Sequence, residues 1–130
     1  MPVTWEFQNS LLLVKLIGDY EYNAPVQAVS EAMRDPACLP RTMLLIDARL
    51  TTARRSSEEF RERAIWMASL QARGLGNRCA LLINEQPHQF GLARMAATHV
   101  EMRGMKLGIF TDMEEAARWL LQDAASAAAS

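Results

Sequence analysis

The chain has 130 residues with 14 basic and 15 acidic side chains, and its formal net charge of −1 gives no global attraction to nucleic acid or to an anionic membrane. Half of the residues are apolar, which suffices for one domain with its own core, and no apolar run approaches the ~20 residues of a membrane-spanning helix. Cys38 and Cys79 form no CxxC motif, which excludes a disulfide framework and a cysteine-rich zinc site.

The first two predicted elements form a β-hairpin. Thr4–Gln8 alternates polar and apolar residues, as a half-buried strand does. Leu11–Ile17 is apolar and partly β-branched. The turn-forming residues Asn9 and Ser10 separate the two runs, which predicts a two-residue connection between antiparallel strands.

Alternating helices and strands are predicted after the hairpin, and capping residues mark where the helices begin. Asn23 precedes Pro25, Ser56 and Glu59 have capping-box spacing, and Asp112 precedes the last helix. The predicted elements are a helix from Asn23 to about Arg34, a strand Met43–Asp47, a helix from Ser56 to about Arg73, a strand Cys79–Asn84, a helix Pro87–Arg103, a strand Lys106–Phe110 and a helix from Asp112 to about Asp123.

This order predicts one α/β domain with a five-stranded mixed sheet and about four helices. Three strand–helix–strand passages imply parallel pairing with right-handed crossovers. The domain is expected to span residues 1–124, and the small, polar segment 125–130 to be a frayed tail. The predicted core comprises apolar residues at strand centres or on an inner helix face: Leu13, Leu45, Ile46, Leu82, Ile83 and Leu120.

The chain resembles the SpoIIAA-like branch of the bacterial STAS-type domains. The element order carries the resemblance, together with two segments, Phe90–Met95 and Phe110–Leu120. The first follows an aromatic-Gly-x-Ala-Arg-Met pattern, and the second a Phe-Asp-Glu-Glu-Ala-Trp-Leu pattern with spacers. The resemblance covers essentially the whole chain and implies a compact αβ domain without an established catalytic activity.

The resemblance also makes Ser56 a candidate phosphorylation site. Related anti-sigma-factor antagonists have Asp-Ser-Ser where the helix after the middle strand begins, and their first serine is phosphorylated. Arg55-Ser56-Ser57 occupies that position here. Arg55 replaces the aspartate and Glu58 replaces a small residue, so a kinase partner would meet a different surface.

A candidate anion-binding site lies near the start of the same helix. Its residues are Asp47, Arg49, Arg54, Arg55, Ser56 and Ser57. The free N–H groups and dipole of a helix N-terminus favour an anion, and arginine can pair with it. A structural alternative has Ser56 as a plain N-cap, the arginines as a solvated face, and Asp47 bonded to the loop after its strand.

The sequence has no recognisable metal-binding or catalytic motif. His88 and His99 are eleven residues apart, which is not a metal-chelating spacing. No acid–base pair, metal cluster, phosphate loop or nucleophile motif is present, so the prediction is a non-enzymatic protein without metal or cofactor.

Trp66 and Leu70 are predicted to form a dimer contact. Trp66 falls on a mostly charged face of its helix, with Leu70 one turn along. An apolar patch of this kind can meet its own copy across a two-fold axis. The alternative is that Trp66 packs inside the monomer.

Two functional hypotheses follow. The first is a regulatory module that acts through contacts with a protein partner and forms a homodimer. The second is a carrier or sensor of a small anionic or amphipathic ligand near the Ser56 helix start. The N-terminus lacks a secretory pattern and both cysteines are expected to be free, so a cytoplasmic location is expected. The arginine-rich and alanine-rich composition is what a GC-rich bacterial genome would produce.

Overall fold

The computed structural model describes residues 2–8, 10–84 and 87–129, with the side chains of 87–89 and 122–129 excepted. The nine elements are β1 Val3–Gln8, β2 Leu11–Gly18, α1 Ala24–Arg34, β3 Met43–Thr51, α2 Ser57–Ala72, β4 Arg78–Leu82, α3 Pro87–Glu101, β5 Lys106–Phe110 and α4 Met113–Ala129. Among the described residues, no helix combines the length and apolarity needed to cross a bilayer.

The five strands follow one another across the sheet in chain order. β1 and β2 are antiparallel, and every later neighbour pair is parallel. The predicted mixed sheet is therefore confirmed. Because successive parallel strands add at the same edge through right-handed crossovers, α1, α2 and α3 all cover one face, and α4 returns over the other.

Each face of the sheet has its own hydrophobic core. On one face Val14, Ile46 and Leu107 pack beneath α1–α3. On the other face Leu45 and Leu82 pack beneath α4. Strand residues alternate between these two faces, so neighbours such as Leu45 and Ile46 belong to different cores.

Five of the six predicted core residues are buried, and Leu13 is only half-buried. Leu13 lies on β2 on the same face as α4. That helix packs over β3, β4 and β5, and within the described part of the chain it has no contact with β2. Leu13 therefore lies beside the region that α4 covers and stays partly exposed to solvent.

β3 is longer than the sequence predicts. It runs to Thr51 instead of ending at Asp47. β2 supplies the extra partners, since Ile17 pairs with Leu50 after a register shift that gives β3 one extra residue. This bulge returns Thr51 to the face covered by α1–α3.

Several helix and strand ends differ from the predictions by a few residues. β4 ends at Leu82, and α3 ends at Glu101. Asn23 occupies the predicted N-cap of α1, but its side chain makes no capping hydrogen bond. α4 continues to Ala129 through most of the segment predicted to fray, which is consistent with the high helix propensity of alanine.

Candidate functional site

The six residues of the predicted anion site do not form one site, because β3 and the α2 start present them to different faces. Asp47 and Arg49 lie within β3 on the α4 side. Arg54 and Arg55 follow β3 and line a cavity on the opposite side. The prediction that all six surround one ligand is therefore wrong: it assumed that β3 ended at Asp47.

Asp47 is a structural carboxylate. It is buried, and Arg49 holds it with a two-pronged contact: Nε and Nη2 donate to Oδ1 and Oδ2, each at 2.9 Å. Burial alone would raise the pKa of Asp47, but these bonds, the Arg49 backbone N–H and the charges of Arg49 and Lys15 lower it. The same pairing raises the pKa of Arg49. A carboxylate held ionised in this way serves neither as a proton donor nor as an open ligand site.

Ser56 is the N-cap of α2. Its side chain accepts a hydrogen bond from the Glu59 N–H at 3.1 Å, and its own N–H donates to the Glu59 carboxylate at 2.9 Å. This confirms the predicted capping box and accounts for the lowered pKa of Glu59. Ser56 and Ser57 are both exposed residues, and the capping box supports the structural interpretation of Ser56.

A cavity of about 230 Å³ lies between the sheet and helices α1, α2 and α3. Its interior is apolar, with fully or nearly fully buried Val14, Val29 and Leu107 in the lining. Three residues with short side chains are part of its lining: Ala48 on β3, Ala64 on α2 and Ala96 on α3. A larger side chain at any of the three would enter the space.

The polar part of the lining lies at the cavity mouth. Arg54 is exposed, and Arg55, Glu59 and Arg63 are partly accessible to solvent. Three arginines thus face one glutamate in the lining. The cavity is apolar inside and positively charged where it opens.

Aromatic rings and guanidinium groups alternate along this mouth, and we call the row the arginine ladder: Tyr20, Arg55, Tyr22, Arg63 and Trp66. The Arg55 Cζ atom lies 4.7 Å and 5.2 Å from the two tyrosine ring centroids. The Arg63 Cζ atom lies 4.5 Å from the Tyr22 ring and 5.6 Å from the Trp66 ring. Such stacking fixes flat cations without neutralising their charge.

Backbone contacts anchor the ladder. Arg55 Nη2 donates to the Tyr20 carbonyl at 2.6 Å, and Arg63 Nη2 donates to the Tyr22 carbonyl. The Tyr22 hydroxyl donates to the Glu59 carbonyl at 3.2 Å. The segment after β2 is thereby tied to the first turns of α2, across the cavity opening.

One buried donor of Arg55 is unused. Its Nε is buried and has no hydrogen-bond partner among the described residues. A buried N–H without a partner is costly, so the hydrogen-bonding capacity of this guanidinium is not fully used within the domain.

The sequence prediction identified Arg54 and Arg55 but missed Tyr20, Tyr22 and Arg63. One signal for Arg63 was available, since Glu59, Arg63 and Trp66 are spaced i, i+4, i+7 on one helix stripe. The tyrosines come from a loop 35 residues or more away from their partners, and no local pattern indicates that contact.

Comparison with known proteins supports the architecture. No family description and no curated protein matches the chain. A similar solved structure is that of an uncharacterised DUF3478-family protein from Shewanella loihica PV-4 described as SpoIIAA-like; the identity is 16%, the match covers 91% of each chain, and the TM-score is 0.57. The chain has a SpoIIAA-like fold. The fold inferred from the resemblance is therefore confirmed.

In this chain, the two residues of the predicted dimer contact have different environments. Leu70 is fully buried in the core beneath α1–α3, so it is not available to a partner. The prediction for Leu70 is wrong because the inner face of α2 is wider than its spacing suggested. Trp66 is half-buried, lines the cavity and contacts Arg63.

The remaining reactive side chains do not form a second site. Cys79 is fully buried and Cys38 half-buried, and burial raises the pKa of both thiols. His99 is half-buried on α3, while the side chain of His88 lies outside the described residues. No cluster of three metal-ligating side chains is found in the part of the chain that the structure describes.

Proposed function

We propose that this SpoIIAA-like domain is a non-enzymatic carrier or sensor of a small amphipathic molecule. The observation that carries the proposal is the apolar cavity beneath α1–α3 with its charged mouth. An engineered apolar cavity of about 150 Å³ in another protein binds benzene, so about 230 Å³ has room for a larger guest. The volume lies below the ~300 Å³ at which sites for drug-sized ligands begin, which favours a slender molecule.

The proposal is tested by titration calorimetry with ten-carbon amphiphiles, supported by native mass spectrometry of the protein as purified. Saturable binding of one ligand per chain is expected. Ala96→Leu should abolish it, since the added carbons would occupy the cavity. Arg118→Gln is the matched control, because Arg118 is exposed on α4. Binding that persists unchanged in Ala96→Leu would place the ligand elsewhere and defeat the proposal.

A second proposal is a regulatory role through protein contacts, including a homodimer formed by the outer face of α2. It is favoured by Ile65, which follows Ala64 on α2 and is 38% exposed, and by the exposed residue Ser56 at the start of the same helix. Sedimentation equilibrium of Ile65→Glu tests the dimer. We expect it to weaken a wild-type dimer, whereas Leu121→Glu on α4, at 42% exposure, should not. A wild-type monomer at high concentration would contradict this proposal.

A further inference from the structure

We infer that the guest of the cavity is a single-chain aliphatic carboxylate whose headgroup is held by Arg55 of the arginine ladder. This inference rests on the proposed carrier or sensor function and names its ligand class. It combines the apolar interior, the positive mouth and the fixed guanidinium of Arg55.

The charge balance of the mouth selects an anion. Arg54, Arg55 and Arg63 line it against Glu59. Glu62, whose Oε2 lies 3.3 Å from the Tyr22 hydroxyl, adds a second carboxylate, so one positive charge remains in excess. Glu59 is already occupied, because its Oε1 accepts from the Ser56 N–H. Its Oε2 is 4.0 Å from Arg55 Nη1, which is too long to saturate that guanidinium.

The state of Arg55 selects a small headgroup. Its Nη2 is bonded to the Tyr20 carbonyl, and two tyrosine rings stack on it, so the guanidinium is held in place. Its Nε remains buried and unpartnered. A carboxylate, with two acceptor oxygens, can pair with Arg55 Nη1, which is 4.0 Å from Glu59 Oε2, and interact with Arg54 at the rim. The preorganised cation loses little freedom on binding.

The apolar interior selects a hydrocarbon tail. Side chains such as Val14, Val29 and Leu107 offer no hydrogen-bonding partner to a polar ligand. The volume of about 230 Å³ suits one chain better than two. With the carboxylate at Arg55 and the tail directed inwards, the ligand pairs its charge with an arginine and places its hydrocarbon chain among apolar side chains.

The experiment compares decanoate, decanol and decyltrimethylammonium, all below their micellar concentrations, by titration calorimetry on the full chain. Decanoate should bind at least about tenfold more tightly than decanol, a difference of about 1.4 kcal/mol. The cation should bind most weakly. Added salt should weaken decanoate binding and leave decanol binding unchanged.

Arg55→Gln should remove the advantage of decanoate over decanol, with Arg118→Gln as the control that retains it. Circular dichroism checks that Arg55→Gln is folded; if it is not, the salt dependence of the wild type decides the question. Decanol or the cation binding as tightly as decanoate would overturn the carboxylate assignment and leave the proposed function standing. Failure of all three ligands to bind would overturn both.

Discussion

The two faces of the sheet are packed in different ways. Beneath α4, Gly108 has no side chain, and the Phe110 and Trp119 rings pack against it with their centroids 5.4 Å apart. Beneath α1–α3, alanines stand where larger residues could fit, and a cavity remains. A close-packed face contributes stability, whereas an open one provides space for a ligand at some cost in stability.

The largest contrast is expected from truncating one leucine on each face. Leu45 on β3 is 1% exposed beneath α4, and Leu81 on the neighbouring β4 is half-buried and lines the cavity. Leu45→Ala should lower the free energy of unfolding by about 2–5 kcal/mol. Leu81→Ala should cost less, because its side chain borders empty space. Chemical denaturation measures both, and equal losses would show that the two faces are equally packed.

Removing the Asp47 carboxylate should have the next largest effect, again on the α4 face. Asp47→Asn is expected to cost about 1.5–3 kcal/mol, since Arg49 loses a charged two-pronged partner. The lowered pKa of Asp47 fixes the pH dependence. Its stabilising effect is complete above the unfolded value of about 3.9 and is lost as pH falls through the folded value.

Urea denaturation between neutral and acidic pH tests this dependence. The stability difference between wild type and Asp47→Asn should shrink as the solution becomes more acidic. A difference that stays constant through the acidic range would mean that the ion pair is not the source of the effect.

Enlarging a side chain by one or two carbons should change the stability in opposite directions on the two faces. A Cβ on Gly108 would lie 2.7 Å from the Phe110 ring and 2.9 Å from the Trp119 ring, so Gly108→Ala should destabilise by about 1–3 kcal/mol. Ala48→Val points its extra carbons into the cavity and should be neutral or stabilising by about 0.5 kcal/mol or more. Thermal unfolding reports both, and destabilisation by Ala48→Val would indicate that the cavity wall is tightly packed.

The fold was predictable because its signals are local. Hairpin turn residues, the caps Ser56 and Asp112, and two continuous apolar strands indicate the element order without reference to tertiary contacts. The cavity was not predictable in the same way. Ala48, Ala64 and Ala96 lie on three separate elements, and nothing in their local sequence shows that they meet around an empty space.

The end of β3 was mispredicted at Asp47 because a distant strand, β2, determines where β3 ends. A charged residue after four apolar ones suggests the end of a buried strand, yet β2 continues alongside and extends β3 to Thr51. Because Asp47 then faces α4, it is separated from Arg55 by the sheet itself. Residues that are close to the start of α2 in the sequence are therefore not all close to it in the folded structure.

The smallest expected effect concerns Ser56, where the cap and ligand interpretations differ. Ser56→Ala removes the bond from the Glu59 N–H and should cost about 1 kcal/mol. The matched change Asp112→Ala removes the corresponding cap on α4, where Asp112 Oδ2 accepts from the Glu115 N–H at 3.0 Å, and should cost a similar amount.

If Ser56 is only a cap, decanoate affinity should be the same in both variants and in the wild type, because the headgroup is held by Arg55. A loss of affinity confined to Ser56→Ala would instead place the anion on the first turn of α2, as the sequence first suggested, and calorimetry on the two variants distinguishes these outcomes.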